Sequence, residues 1–280
     1  SSESRGLGDV YKRQKEYLVM EEIFFSITYP PIPITKVGPV FLSLHGVFAA
    51  IGFYFGASHA LKLSEQDGAN SILFSEALSW AIFGAILGAR FFTIPAQWYA
   101  NPGYGLSDVF TLAGSYSIMG GMAGGIIAAY LKISIFNKED FKQYGDYAAT
   151  GLILGTVIGR IGDLAIVEHL GRETSFFLGY EIKPGYDVAP QHNSLECMEP
   201  LLTCGTYHHV ALYDLILASI VFFIFRSLQK RYEFGKGSWI GLWAIWYGTQ
   251  RAFLDTLRFG MGDSTICLLY TSDAADETVR

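Results

Sequence analysis

The sequence predicts an all-α integral membrane protein, a polytopic helical bundle, and three observations carry that expectation. Only 16% of the 280 residues are charged, while 51% are hydrophobic and 15% aromatic. A soluble domain carries about 25% charged residues, and with a mean hydropathy of +0.29 this chain calls for a solvent less polar than water. Six stretches, 37–61, 71–92, 117–135, 147–164, 210–228 and 237–257, approach the roughly 20 apolar residues that cross a bilayer. Lysine and arginine, finally, alternate between the connections.

Taken in order, the first stretch contains His45 and His59, which read as packing inside it. The second carries Glu76 and ends near Arg90. The third holds Gly120, Gly121, Gly124 and Gly125, an i, i+4 pattern that lets two helices approach closely; a substrate groove beside that thin face is the alternative. The fourth closes on Arg160 and Asp163, and Glu168, His169 and Arg172 follow at once. The fifth opens on Asp214, just after His208 and His209. The sixth carries Arg251 and Asp255, with Arg258 beyond them.

Cytoplasmic loops carry an excess of Lys and Arg. Lys62 falls in the first connection, Lys132, Lys138 and Lys142 in or beside the third, and Arg226, Lys230, Arg231 and Lys236 around the fifth. The second connection, 93–116, has none, and the fourth, 165–209, has only Arg172 and Lys183. This alternation predicts six spans with both ends outside and two outer loops. The fourth loop is far longer than an ordinary connection, and its aromatics, Phe176, Phe177, Tyr180, Tyr186 and Tyr207, predict a small packed arm or head at the membrane surface. On this topology Cys197 and Cys204 face an oxidising compartment, which favours a disulfide over free thiols.

Several classes are excluded. A net charge of −6 and a pI near 5.5 provide no basic footprint for nucleic acid. Glu168, His169, His208 and His209 contain ligand types for a metal, but no two-ligand helical motif such as HExxH occurs, and no metal is expected. Residues 1–14 (SSESRGLGDVYKRQ) and 267–280 (CLLYTSDAADETVR) resemble translated adapter sequence and are set aside as non-native. A single transmembrane domain over 15–266 remains.

Ionisable residues inside a membrane are costly and tend to be functional. On the inferred topology Arg90, Arg160, Asp163, Glu168, Arg172, His208, Asp214, Arg251 and Asp255 all fall toward the outer leaflet, although they come from separate spans. Arginine suits a lipid phosphate, because its planar fork donates two parallel hydrogen bonds and keeps its charge. Carboxylates and imidazoles suit proton transfer. Structural alternatives stand beside these roles: an i, i+4 salt bridge for Arg251 with Asp255 and for Glu168 with Arg172, and snorkelling for Arg90 and Arg160.

At these residues the chain resembles the prolipoprotein diacylglyceryl transferase family. GRIGDLAIVEHLGRET, Gly159 to Thr174, matches the family pattern GRIGNFxNxExxGRxT. GPVFLSLHG at Gly38 to Gly46 is similar to the start of its first helix, LGAR at Leu87 to Arg90 to its GGR, HHVALYD at His208 to Asp214 to its HPxQLYE, and WYGTQRAFLDTLR at Trp246 to Arg258 to its GYGxxRFxxExxR. The resemblance implies a multi-pass enzyme of the bacterial inner membrane with its site toward the outer leaflet. It would move a diacylglyceryl group from phosphatidylglycerol to the lipobox cysteine thiol of a preprolipoprotein signal peptide, forming a thioether and releasing glycerol phosphate, without metal or soluble cofactor. It implies catalytic roles for Arg160, Glu168, Arg251, Asp255 and His208, and substrate contacts from Arg90, Asp163, Arg172, Tyr213, Asp214, Tyr247, Ser117, Gly120 and Gly121. It also implies a seventh span beyond the six visible.

The chain departs from the family pattern in places. Met119 stands where the family has a histidine, Asp163 and Ile166 replace asparagines, Ala211 a glutamine, and Asp214 and Asp255 glutamates. Methionine accepts no proton at neutral pH, and the added charge of Asp163 is expected to pair with an arginine. The competing function is a non-catalytic or transport-type lipid-binding protein on the same scaffold. The lack of an internal repeat and the crowding of charge at one level favour interfacial chemistry over transport.

Overall fold

The structure, a computed structural model, describes residues 26–33, 35–37, 40–100, 117–186, 188 and 204–258. The adapter-like ends, most of the expected outer connection 93–116, and Cys197 lie outside the described residues.

The chain enters through a short hairpin, β1 (Thr35–Val37) against β2 (Val40–Leu42), paired antiparallel. The first span therefore begins later than the sequence suggested. Gly38 and Pro39 favour a turn, Pro39 offers no N–H to a helix, and Val40 and Phe41 prefer strand. Helix α1 (Leu44–Gln66) then starts on Ser43, whose hydroxyl accepts from the His45 backbone N–H at 3.2 Å.

Helix α2 (Ser71–Ala100) passes the expected end at 92 and contains Pro95. An internal proline is tolerated in a membrane helix because neighbouring groups re-satisfy the freed backbone. Helix α3 (Ile118–Tyr130) runs on into a π-helical segment, Leu131–Phe136. Helices α4 (Phe141–Ile166), α5 (Val210–Gln229) and α6 (Ser238–Asp255) complete the described helical part.

Five helical stretches are long and apolar enough to cross a membrane, in α1, α2, α3 with its π-helical extension, α4 and α5. Only 17% of the apolar window of α1 and 33% of that of α4 is buried within the protein. Ile72, Phe83, Phe223 and Ile245 instead project outward. Exposed apolar surface on that scale is a lipid-facing surface, and the molecule is a multi-pass helical membrane protein.

Two helix pairs pack backbone on backbone. A Cβ on Gly52 would sit 2.6 Å from the Gly155 carbonyl oxygen, and one on Gly56 would overlap that of Gly151, which draws α1 onto α4. Likewise Gly84 and Gly88 of α2 face Gly124 and Gly120 of α3 with no room for a Cβ. At the end of α4 opposite its charged terminus, the Asp146 carboxylate accepts from the backbone N–H groups of Gly237 at 2.7 Å and Ile240 at 3.0 Å. It thereby caps the start of α6.

Between α4 and α5 the chain builds a small antiparallel sheet, ordered β3 (Leu170–Glu173), β5 (Thr206–His209), β4 (Gly179–Glu181). It has its own core of Val167, Leu170, Tyr180, Ile182 and Val188. Cys204, at its margin, is disulfide-bonded; its partner lies outside the described residues.

Candidate active site

One connected set of side chains joins α6, α5, α4 and α1 at the end of the bundle that carries the sheet. Gln250 on α6 donates to Asp214 Oδ1 on α5 at 2.5 Å. Asp214 Oδ2 lies 2.6 Å from Arg160 Nε on α4. Arg160 Nη1 donates to Asp163 Oδ2, and the other oxygen of Asp163 meets Nδ1 of His45 on α1. Glu168 Oε2 stands 3.9 Å from the same His45 nitrogen. The arginine partner expected for Asp163 is thus Arg160, one helical turn earlier. Its guanidinium, buried between two carboxylates, has five N–H donors in all.

His45 differs from the sequence expectation. A helix from 37 would have buried it two turns deep; the hairpin delays the start to Leu44, so His45 falls in the first turn, with half of its side chain exposed. Gly162 sets the approach. A Cβ there would lie 2.8 Å from the Leu44 carbonyl oxygen and 3.0 Å from the His45 Cα. The missing side chain therefore lets the start of α1 lie directly on the turn that holds Asp163. The sequence placed Asp163 at the outer end of its span, but nothing in it placed His45 at that level.

Glu168 is positioned by an unusual helix end. Val167 has φ 53° and ψ 49°, left-handed backbone that is a genuine outlier for a β-branched residue, and His169 follows with φ 63°. The amide of Glu168 bonds back to the Asp163 carbonyl at 3.0 Å, which closes α4. Such backbone costs of order 1–3 kcal/mol per residue. The fully buried Val167 side chain, locked into the sheet core, holds it in place. Glu168 and Arg172 do not share a helix face, since Arg172 lies exposed in β3 with its N–H on the Leu257 carbonyl at 2.9 Å.

A second cluster forms at the end of α6. Arg251 Nε lies 3.1 Å from Asp255 Oδ1, the i, i+4 pair foreseen from spacing, and Arg258 Nη1 lies 3.5 Å from the same oxygen. Arg258 Nη2 also meets His169 Nδ1 at 2.5 Å. Gly171 makes this docking possible, because a Cβ there would overlap the Leu257 carbonyl.

His208 and His209 point to opposite faces of β5. His208, half-buried, contacts the Tyr213 hydroxyl through Nδ1 at 3.2 Å and lies beside Phe176; burial lowers its pKa. His209 is fully buried. The Tyr29 hydroxyl donates to the Leu164 carbonyl at 2.7 Å, so His209 Nε2, 2.9 Å from that hydroxyl, is the donor of the pair. Burial depresses the His209 pKa to about 4 and pushes the Tyr29 phenol up to about 12, so both are neutral. Next to them an open apolar groove of about 340 Å³ runs past Ile161, Leu164 and Leu212.

Of the remaining expected site residues, Tyr247 lies within electrostatic reach of the Arg160 guanidinium. Arg90 is buried in α2. Ser117 caps α3, its hydroxyl accepting from the Gly120 N–H at 3.2 Å. Gly120 and Gly121 lie on the α2–α3 seam. Tyr247 stacks on Trp243 at 5.4 Å. Conversely, Gln250 had no assigned role in the sequence and proves to be the α6 partner of Asp214. His45, Asp163 and Glu168 each offer a ligand atom within 4.8 Å of the others, the geometry a metal ion would use. The Arg160 guanidinium already occupies one face of the shared carboxylate, which disfavours a cation there.

Fold and site together define a multi-pass helical membrane protein with a buried ion-pair network at one end of its bundle. A family model described as prolipoprotein diacylglyceryl transferase matches residues 32–273, and the chain belongs to that family. Three curated relatives carry the name phosphatidylglycerol–prolipoprotein diacylglyceryl transferase. The one from Trichormus variabilis is 26% identical over 239 residues, 84% of this chain and 81% of that protein. The one from Corynebacterium diphtheriae is 26% identical over 236 residues, covering 83% of each. The one from Deinococcus radiodurans is 29% identical over 241 residues, 78% of this chain and 69% of its own.

Proposed function

We infer that this chain transfers a diacylglyceryl group from phosphatidylglycerol to the cysteine thiol of prolipoproteins, forming a thioether and releasing glycerol phosphate. The observation that carries it is the family match, which runs through every helix of the polar network. The network supplies chemistry that fits. The sulfur attacks the glyceryl carbon, the carbon–oxygen bond to phosphate breaks, and the departing phosphate gains a negative charge. Fixed cations at that position stabilise the transition state more than the substrate. Arg160 and Arg251 are the cations proposed for this role. Asp163 and Asp214 on Arg160, and Asp255 on Arg251, hold the guanidinium planes in place. Glu168 and His208 stand at the edges of the site as further polar contacts, and the apolar groove beside Leu164 suits an acyl chain or a lipobox side chain.

The protein is a multi-pass protein of the bacterial inner membrane, and the network faces the outer leaflet with α6 as a sixth span. Supporting this orientation, the network ends of α1, α4, α5 and α6 carry His45, Asp163, Asp214 and Asp255, while their opposite ends carry Lys62, Lys142, Arg226 and Lys236. Lysine-bearing ends lie in the cytoplasm. The sheet of residues 170–209 is then an arm on the outer surface, over which a lipobox signal peptide would pass.

The test is transfer of labelled diacylglyceryl from phosphatidylglycerol vesicles to a lipobox peptide by membranes holding the full chain. Arg160→Ala and Arg251→Ala are each expected to abolish transfer. Full activity in both would remove the proposed phosphate site, and lipid binding without turnover by the unaltered chain would favour a lipid-binding role.

A further inference from the structure

The acceptor thiol must lose a proton before it attacks, and a free cysteine thiol, with a pKa near 8.5, is mostly protonated at neutral pH. We propose that His45 is the catalytic base that takes this proton and that Asp163 is the positioning residue that makes it one; the proposal rests on the transferase reading. The geometry is that of an imidazole held by a carboxylate. Asp163 is almost fully buried and bonds His45 Nδ1, which fixes the proton on Nδ1 and leaves Nε2 as the basic atom. Half of the His45 side chain is exposed, so a substrate can reach the ring. The second oxygen of Asp163 bonds Arg160, so the base is coupled through one carboxylate to the cation proposed for the leaving phosphate.

The step balances. The S–H proton passes to Nε2, the sulfur electron pair forms the carbon–sulfur bond, and the carbon–oxygen pair leaves with the phosphate of glycerol phosphate. The imidazolium then returns its proton to that phosphate, whose second pKa is near 6, or to water. The charged groups that face His45 are Asp163 at Nδ1, Glu168 at 3.9 Å and, behind Asp163, Arg160. The two carboxylates stabilise the imidazolium and the arginine opposes it.

The decisive variant is His45→Asn. Its amide N–H can still donate to Asp163, which preserves the contact between α1 and α4, but it offers no base. Transfer to a cysteine lipobox peptide is expected to fall 100-fold or more, within the span of about 10²–10⁴ typical of a lost general base, while phosphatidylglycerol binding and thermal midpoint stay near those of the unaltered chain. A selenocysteine lipobox peptide, whose selenol is already ionised at neutral pH, is expected to recover most of the loss. Asp163→Asn is expected to cost at least about tenfold and to move the acidic limb of the pH profile to lower pH, since the imidazolium loses its carboxylate. Equal losses with the thiol and the selenol, or full activity of His45→Asn, would overturn the assignment of the base. An unaltered chain inert toward both peptides would overturn the transferase reading itself, and the base with it.

Discussion

Helices α2 and α3 meet through glycine, whereas α4 meets α5 and α6 through an apolar cluster of Ala149, Ile153, Phe225, Trp239 and Trp243 that gives way to charge at one end. On the first seam Gly84, Gly88, Gly120 and Gly124 bring carbonyl oxygens against Cα atoms, and among the described residues charge enters beyond them, where Glu76 of α2 pairs with Lys132 of the π-helical segment at 2.7 Å. On the second, Arg160 of α4, Asp214 of α5 and Gln250 of α6 reach across gaps that side chains fill. Both solutions address one difficulty: in lipid no hydrophobic effect drives helices together, so association depends on close van der Waals packing or on polar contacts that hydrocarbon cannot replace. The glycine seam is insensitive to charge and intolerant of volume; the polar network is the reverse. Helix α1 shares both, glycine against α4 along its length and His45 at its end, and this places a titratable ring on a rigid support.

The sharpest way to break the contrast is at Arg160. Replacing it by methionine keeps the volume but leaves Asp163 and Asp214 as buried carboxylates without their shared cation, a loss on the order of 3–5 kcal/mol for a broken buried pair. Thermal unfolding in detergent should report it directly, and an unchanged midpoint would mean that the network contributes nothing to the fold.

Next in size is an effect of pH at the sheet. His209 titrates near 4 in the fold against an ordinary 6.5, so between these values the unfolded chain binds a proton that the folded chain refuses. Its contribution is complete above pH 6.5 and disappears as the pH falls through 4, up to about 3 kcal/mol in all. His209→Gln should flatten that slope of midpoint against pH.

On the glycine seam, Gly124→Ala forces a methyl into the Gly84 carbonyl and is expected to cost about 1–3 kcal/mol through overpacking. The cost should be independent of pH. Gly241, with nothing within 4 Å of a built Cβ, is the matched control: Gly241→Ala should stay within about 0.5 kcal/mol, or gain slightly from helix propensity. If both substitutions behave alike, close backbone approach is not what joins α2 to α3.

Much of this was legible in the sequence because hydrophobic runs report a solvent. The spans over α4 and α5 began or ended close to the expected positions, and the i, i+4 spacing of Arg251 and Asp255 predicted their contact. The motif Gly159 to Thr174 held the centre of the network in one continuous run. Two things were not legible. The hairpin before α1 moved the helix start by one turn or more, and with it the level of His45. The strained ending of α4 at Val167 is stabilised by a sheet core assembled from residues distant in sequence, which no local propensity reports.

By itself, then, the sequence determined the solvent, the order of the spans and the ionisable groups available, because composition and periodicity are local properties of the chain. Only the tertiary structure decided which groups touch. Asp163 sits between an arginine on its own helix and a histidine more than a hundred residues earlier, and the contact exists because Gly162 gives α1 room to close on α4. Pairing across helices depends on where two backbones can come within side-chain reach, and that distance is set by packing.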